Sequence, residues 1–300
     1  MKRVVSISLG SSKRNKVSRA MILSEEFSIE RVGVDGDLEA WGKKFTELDG
    51  KVDALGIGGA DLYLWIDDKR YVFRQIQKLV SGAKKTPVVD GSGLKHTLER
   101  RLIQTLNSEG TIDFKKERCF LMMAVDRFGM AEALADVCPN VVYGDLMFGL
   151  GLPFRARSYR AIRFIGKLLL PIITKLPFKW FYPTGEKQEF RKPKFPWAFN
   201  EASIICGDWH YIRRHCPEKM EGKTVITNTL RKADLEFLAS CGVRRAITST
   251  PEIDGESFGT NVMEGVLVAI LGKRPEQLSY KDYESAVERL KWKPNIFELN

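Results

Sequence analysis

Short apolar runs alternate with amphipathic segments along the first hundred residues of the chain. The runs are rich in β-branched residues and end in Gly, Ser or Asp, at residues 4–12, 27–37, 52–64 and 86–98. Runs of this length are typical of buried strands, and the intervening segments place apolar residues at helical spacing. The pattern predicts alternating strands and helices, the arrangement of an α/β fold.

The same alternation of apolar runs and amphipathic segments continues at shorter intervals in the second half of the chain. Near-continuous apolar runs occur at residues 119–125, 140–145, 202–208, 223–229 and 244–251. Segments with helical spacing lie between or after them, at residues 130–137, 233–242 and 258–272. Strands that are apolar on both sides are typical of parallel sheets covered by helices. We therefore expect a Rossmann-like, doubly wound parallel sheet in this half.

A polar stretch at residues 107–118 separates the two halves. Polar segments of this kind often connect domains. We predict an N-terminal α/β substrate domain over residues 1–112 and a Rossmann-like nucleotide-binding domain over residues 113–300. The second domain carries a long, basic and apolar insertion at residues 146–199.

Charge narrows the range of partners. The chain has 300 residues and a formal net charge of +10, with a pI near 9.3, which favours small anionic substrates, nucleic acid or acidic lipid. We expect no nucleic-acid partner, because the cationic residues are dispersed and no zinc-finger or RNP-type pattern occurs.

The first residues lack the apolar run and cleavage site of a signal peptide, so a cytoplasmic location is expected.

The cysteines do not suggest a disulfide framework. They are five, an odd number, and no C-x-x-C pair occurs among them. We expect buried, reduced thiols.

Small and acidic residues end the predicted strands of the second half. They are Asp126, Gly129, Gly144, Asp145, Asn228, Thr229, Ser249 and Thr250. Asp145 follows Asp126 by 19 residues (145 − 126), close to the spacing of about 20 between a dinucleotide turn and its ribose-binding acid. These residues are candidates for binding NAD or NADP, and an acid at Asp145 favours NAD. The alternative is that the acids only cap helices, because the turn carries one glycine instead of three.

A second glycine-rich loop follows a predicted strand in the first half. It comprises Asp90, Gly91, Ser92, Gly93, Leu94 and Lys95. Glycines allow backbone N–H groups to face an anion, and a lysine adds a positive charge. Ser11 and Ser12 form a weaker version of this pattern. These loops are candidate substrate-binding elements, although an ordinary strand-to-helix turn explains them equally well.

Two of the three histidines lie in the segment CGDWHYIRRHC, residues 206–216. Its mixture of Cys, His and Asp contains zinc ligand types, but the spacing is not that of a known zinc site, so no metal is expected. Asp208 or His210 is a candidate for proton transfer. A structural role for the whole segment is the alternative.

The insertion at residues 146–199 is basic and rich in apolar residues. Pro171 and Pro177 interrupt its apolar part, which is too short and too charged to cross a bilayer. It can cover the sheet, form a homodimer contact, act as a lid, or lie on a membrane surface through residues 155–182.

Several motifs resemble a group of bacterial proteins named quinate 5-dehydrogenase, which are distantly similar to the quinate/shikimate dehydrogenase family. They are SLGSS, GIGGADLYL, VDGSGLKHTLERR, DRFGMAEAL, YGDLMFGLGLP, YPTGEKQ and STPEIDGESFGTNVMEG. The resemblance implies a substrate domain, a Rossmann domain and NAD(P)-linked oxidation of a ring hydroxyl on a polyhydroxy carboxylate. The N-x-T-x-P-x-K and N-T-D-G motifs, in which shikimate dehydrogenases carry a Lys–Asp pair, are absent from this sequence.

Together these patterns predict an NAD(P)-dependent oxidoreductase. In this hypothesis Lys95 polarises or protonates the substrate oxygen, with Asp208 or His210 as its proton partner. The alternative function is a Rossmann-like protein that is not a dehydrogenase and binds a nucleotide or an anionic lipid.

Overall fold

The computed structural model describes residues 1–67, 69–177, 191–250, 252–253 and 256–300. The strands are β1 Lys2–Ser8, β2 Lys16–Ile22, β3 Glu25–Gly33, β4 Ala54–Gly58, β5 Tyr63–Ile66, β6 Lys69–Val72, β7 Val88–Val89, β8 Cys119–Leu121, β9 Val141–Tyr143, β10 Ile204–Cys206, β11 Thr224–Thr227, β12 Arg245–Thr248, β13 Glu252–Ile253, β14 Glu256–Ser257 and β15 Asn295–Glu298. The α-helices are α1 Leu38–Leu48, α2 Arg74–Val80, α3 Ser92–Ser108, α4 Phe128–Val137, α5 Tyr159–Ile173, α6 Pro196–Glu201, α7 Trp209–His215, α8 Lys232–Ser240, α9 Thr260–Leu271 and α10 Tyr280–Arg289.

The chain forms two compact units that interleave in sequence. Unit 1 comprises Met1–Thr97, Leu170–Gln188 and Phe258–Trp292, and unit 2 comprises Leu98–Leu169, Glu189–Ser257 and Lys293–Asn300. This division differs from the predicted contiguous boundary at residues 112 and 113. The polar stretch at 107–118 does not behave as a linker, because Ile112 and Phe114 within it are buried in the core of unit 2.

Unit 1 contains a five-stranded sheet in the order β2-β3-β1-β4-β7. Strands β3, β1, β4 and β7 are parallel, and β2 pairs antiparallel with β3. Helix α9 packs on β1 and β4. Its Gly265 permits this close approach, since a Cβ there would lie 2.8 Å from Val4 Cγ1.

Unit 2 contains a six-stranded sheet in the order β15-β12-β11-β10-β8-β9. Strands β8 to β12 are parallel, and β15 pairs antiparallel with β12. Alternate strand residues enter two separate apolar clusters: Leu121 packs in one and Phe120 in the other. The sheet is therefore covered on both faces, which confirms the predicted α/β fold with a doubly wound parallel sheet.

The parallel strands of unit 2 follow the order of a flavodoxin-like sheet. The first strand of the unit, β8, lies between the second, β9, and the third, β10. In such sheets ligands bind beyond the carboxyl ends of the strands, where the order reverses. In this unit that point lies between β8 and β10.

All five cysteines are buried and free, as expected.

The described part of the insertion contains α5, α6 and a π-helical turn at Asp145–Gly149, while residues 178–190 lie outside the described residues. None of the helices that the structure describes is long and apolar enough to cross a membrane.

Candidate functional site

Lys95 and Asp61 form an ion pair at the carboxyl edge of the unit 1 sheet. Lys95 Nζ lies 3.4 Å from Asp61 Oδ1, and the two side chains are only 10% and 15% exposed. Asp61 follows β4, and Lys95 lies in the first turn of α3, after β7. Because β4 and β7 are parallel neighbours, the fold brings the two loops together. A lysine and a carboxylate at this distance can exchange a proton with a bound hydroxyl group.

Asp90 fixes the positions of both loops. Its Oδ2 accepts hydrogen bonds from the backbone N–H groups of Leu62 and Tyr63, each at 2.8 Å. Its Oδ1 accepts a third, from Ser92 N–H at 2.9 Å. Asp90 was predicted to bind substrate. In the structure its carboxylate is buried and holds the loops that carry Asp61 and Lys95.

The two loop glycines are needed for close packing. Gly91 has φ +89°, and a Cβ there would lie 2.6 Å from Asn261 N. A Cβ on Gly93 would lie 2.6 Å from Glu264 Oε1 and 2.8 Å from the Tyr283 ring. These contacts show that the two glycines pack against α9 and α10. Of the two alternatives for this loop, an anion cradle and an ordinary strand-to-helix turn, the contacts describe the turn, and the anion cradle stays a prediction.

Glu264 is a buried acid that the sequence analysis did not single out. It lies on α9, is 3% exposed, and its Oε1 accepts a 2.6 Å hydrogen bond from the Tyr283 hydroxyl. Burial raises the pKa of Glu264 to about 7, and the nearby Asp90 carboxylate adds to the rise. The sequence signal was a lone acid in the otherwise apolar run of residues 258–272.

Ser11 and Ser12, also predicted to bind substrate, follow β1 at the same sheet edge. Ser8, at the end of β1, lies opposite Gly58 at the end of β4. The Arg31 guanidinium donates to Ser11 O, and Ser12 N–H donates to an Asp35 carboxylate oxygen. The loops after β1, β4 and β7 therefore share one edge of the unit 1 sheet.

A buried arginine joins three carboxylates in unit 2. Arg127 is 2% exposed and pairs with Glu99, with Asp126 at 3.1 Å and with Asp208 at 2.6 Å. The three negative charges raise its pKa. We call this group the Arg127 cluster. Because Arg127 follows β8 and Asp208 follows β10, the cluster lies at the point where the strand order reverses.

Asp208 makes further contacts within unit 2. The Asn228 side-chain amide donates to its Oδ2 at 3.1 Å, and His210 N–H donates to its Oδ1 at 2.8 Å. The sequence predicts Asp208 or His210 as the proton partner of Lys95. The structure instead pairs Lys95 with Asp61 and Asp208 with Arg127, and the His210 side chain is exposed.

Asp145, the predicted ribose ligand, supports the loop between β8 and α4. Its two carboxylate oxygens accept hydrogen bonds from Ala124 N–H and Val125 N–H, both at 3.0 Å. Burial raises the pKa of Asp145 to about 6. Gly144 beside it is tightly packed, since a Cβ would lie 2.6 Å from Met122 O. The observed contacts shape the loop, and the ribose contact stays a prediction.

The remaining candidate cofactor residues lie at the same carboxyl edge of unit 2. Thr229, after β11, has its hydroxyl 3.2 Å from that of Thr250, after β12. Ser249 Oγ is buried and has no hydrogen-bond partner among the described residues. Gly129 is buried in the first turn of α4, whose N-cap residue, Arg127, makes no side-chain capping hydrogen bond. Pro251, which follows Thr250, lies outside the described residues.

The histidine-rich segment does not assemble a metal site. No group of three or more His, Cys, Asp or Glu suited to a metal ion occurs in the described ranges. His215 is buried, and its Nδ1 lies 2.9 Å from Lys192 O. Burial lowers the pKa of His215 to about 4, which keeps the ring neutral at physiological pH.

Comparisons with known proteins identify a family and distant structural neighbours. A family model described as Domain of unknown function (DUF8754) matches residues 93–299, and one described as Domain of unknown function (DUF8753) matches residues 3–90. A search of curated proteins found no match.

The chain is similar to several solved structures at low sequence identity. Glutamate dehydrogenase from Thermus thermophilus is 13% identical with a TM-score of 0.44, over 96% of this chain and 74% of that one. NAD-dependent malic enzyme from Thermotoga maritima is 10% identical with a TM-score of 0.35, over 96% and 84%. GanP, a glucose-galactose binding protein from Geobacillus stearothermophilus, is 8% identical with a TM-score of 0.37, over 99% and 97%. These TM-scores are low, and no function follows from them.

Proposed function

The chain belongs to the family described as Domain of unknown function (DUF8754), and we propose that it is an NAD(P)-dependent oxidoreductase. Its substrate in this proposal is a polyhydroxy carboxylate with a ring hydroxyl. The observation that carries the proposal is the mostly buried Lys95–Asp61 pair at the carboxyl edge of unit 1. Shikimate dehydrogenases carry their Lys–Asp pair in motifs that are absent from this sequence, and Lys95 and Asp61 form a Lys–Asp ion pair at other positions.

Oxidation of a secondary alcohol removes a proton from oxygen and a hydride from carbon. When bound, NAD(P) would accept this hydride. Lys95 donates a hydrogen bond to the substrate oxygen and stabilises the alkoxide as it develops. Asp61 accepts the proton that the hydroxyl releases, and its ion pair orients Lys95 towards the oxygen.

Asp90 acts as a positioning residue in this proposal. Its three backbone hydrogen bonds fix the loops on which Asp61 and Lys95 stand. Groups that are held in a reactive geometry before substrate arrives lower the entropic part of the barrier. The carboxylate itself makes no contact with substrate in this account.

In this proposal the nucleotide binds along the carboxyl edge of the unit 2 sheet, which includes the reversal of strand order between β8 and β10. The first turn of α4, which contains Gly129, is the candidate phosphate contact, since its N-cap residue makes no side-chain capping hydrogen bond. Ser249 Oγ, buried and unpartnered among the described residues, and the nearby Thr250 and Thr229 hydroxyls offer polar contacts. In this proposal the acid at Asp145 favours NAD over NADP, because a carboxylate beside the ribose repels a 2′-phosphate.

Substitution of the pair tests the proposal. Cyclic hydroxy carboxylates such as quinate and shikimate are screened for NAD(P) reduction. Lys95→Met and Asp61→Asn should each lower kcat by about 10²- to 10⁴-fold, the usual contribution of a general acid or base. Lys78→Met, an exposed lysine on α2, is the matched control and should turn over like the wild type. Unchanged turnover in Lys95→Met would exclude this role for the pair.

A further inference from the structure

Helix α5 carries an exposed apolar stripe in addition to a buried one. Ile162 and Leu170 are 1% and 2% exposed. Phe164, Leu168 and Ile172, spaced four residues apart, are 71%, 61% and 58% exposed. Side chains four residues apart lie above one another on a helix, so these three form one stripe. A helix that only covers a core needs a single apolar stripe, and the second one requires another explanation.

Cations surround the exposed stripe. Residues 146–177 contain no Asp or Glu. Arg157, Arg160 and Lys175 are exposed in the same segment, just before, on and just after α5. Arg155 does not contribute to this charge, because it pairs with Glu201. The exposed surface of α5 is therefore both apolar and strongly positive.

The positive charge around the exposed stripe of α5 indicates which partner binds it. A second copy of the chain, packed face to face, would bring the cations of one stripe against the cations of the other. A surface of anionic lipid offers phosphate groups to the cations and an acyl boundary to the apolar side chains. Long Lys and Arg side chains can reach the phosphates while the apolar residues insert more deeply.

We propose that α5 lies in the interface of a membrane rich in anionic lipid. Phe164, Leu168 and Ile172 enter the acyl boundary, while Arg157, Arg160 and Lys175 contact lipid phosphates. This inference goes beyond the proposed enzyme activity and does not depend on it, because it uses none of the residues of the Lys95–Asp61 pair or the Arg127 cluster.

Vesicle flotation of the full chain tests the proposal. The protein should float with vesicles of equal phosphatidylcholine and phosphatidylglycerol, stay behind with phosphatidylcholine alone, and be released by high salt. Leu168→Ser should lower the partition coefficient by about tenfold. Arg157→Gln/Arg160→Gln/Lys175→Gln should lower it by roughly 100-fold, since each cation near an anionic surface contributes about fivefold.

Matched control variants distinguish an effect of α5 from the general effect of removing an exposed apolar side chain or lowering the net charge. Met21→Ser removes an apolar side chain that is 66% exposed on β2. Lys51→Gln/Lys115→Gln/Lys219→Gln removes three exposed cations elsewhere and so matches the change in net charge. Both variants should float like the wild type.

Three results would overturn the proposal. The first is an absence of flotation with anionic vesicles, and the second is equal loss of flotation in the α5 variants and their controls. The third is self-association of the lipid-free protein that Leu168→Ser abolishes, which would make the stripe a contact between copies. A fluorophore attached to Leu168→Cys gives an independent readout, because the native thiols are buried. Its emission should shift to shorter wavelength with anionic vesicles only.

Discussion

The Tyr283 hydroxyl lies 2.6 Å from Glu264 Oε1, and this hydrogen bond joins α10 to α9 beneath the loop that carries Lys95. Both side chains are buried. Gly93 touches both, since a Cβ there would come within 2.8 Å of each. A buried carboxyl therefore lies behind the proposed catalytic lysine without taking part in the proton transfer itself.

Glu264 should make stability depend on pH. Its pKa is raised from 4.5 to about 7 in the folded protein, so the folded state binds more protons than the unfolded state between these values. The free energy of unfolding should fall as pH rises through this range, with Glu264 contributing on the order of 3 kcal/mol. Glu264→Gln should remove this contribution, as measured by urea unfolding at several pH values. The difference in free energy of unfolding between the wild type and Glu264→Gln should change with pH across this range. A difference that stays constant would contradict the prediction.

Asp90→Asn should loosen the loops that hold the Lys95–Asp61 pair. An amide has one acceptor oxygen, so at least one buried N–H group loses its partner, at a cost of about 1–3 kcal/mol. We expect lower stability in urea and a lower kcat, and the substrate KM should change less than kcat. Asp35→Asn is the control, because Asp35 also accepts a backbone N–H but is exposed. If both variants behaved alike, Asp90 would have no special positioning role.

Arg127→Met should strongly destabilise unit 2. It leaves the fully buried Glu99 and two further carboxylates without their cation, and breaking a buried ion pair costs about 3–5 kcal/mol. Arg231→Met is the control, because its ion pair with Asp234 involves an arginine that is 54% exposed and should contribute less than about 1 kcal/mol. The free energy of unfolding in urea is measured for both variants. Equal losses would contradict the prediction that the buried Arg127 cluster contributes more than an exposed ion pair.

The regular part of the fold could be predicted from the sequence. Strands β8 to β12 are near-continuous apolar runs, so their burial on two faces was evident from hydrophobicity alone. Strand β15 was not predicted, because its four residues gain order only by pairing with β12, about fifty residues away in sequence. The run at residues 52–64 predicts one strand, whereas in the structure it divides into β4 and the start of the β5–β6 hairpin.

The candidate site could be predicted only in part. Lys95 was found because a glycine-rich loop after a strand is a local pattern. Asp61 was missed as its partner, because the pair forms between the ends of two strands and no local spacing records it. Arg127 pairs with the adjacent Asp126. Its pairing with Glu99 and Asp208 depends on the order of the strands in the sheet and on α3.

A thermal-shift titration with NAD and NADP tests the central claim most directly. A ligand at 100 times its dissociation constant adds about 2.7 kcal/mol to the stability of the state that binds it. We predict a clear rise in Tm with NAD and a smaller one with NADP. The rise should persist in Lys95→Met, whose substitution lies in unit 1, and should shrink in Thr229→Val, which loses a hydroxyl at the strand ends of unit 2. No shift with either nucleotide would contradict the assignment of this protein as an NAD(P)-dependent oxidoreductase.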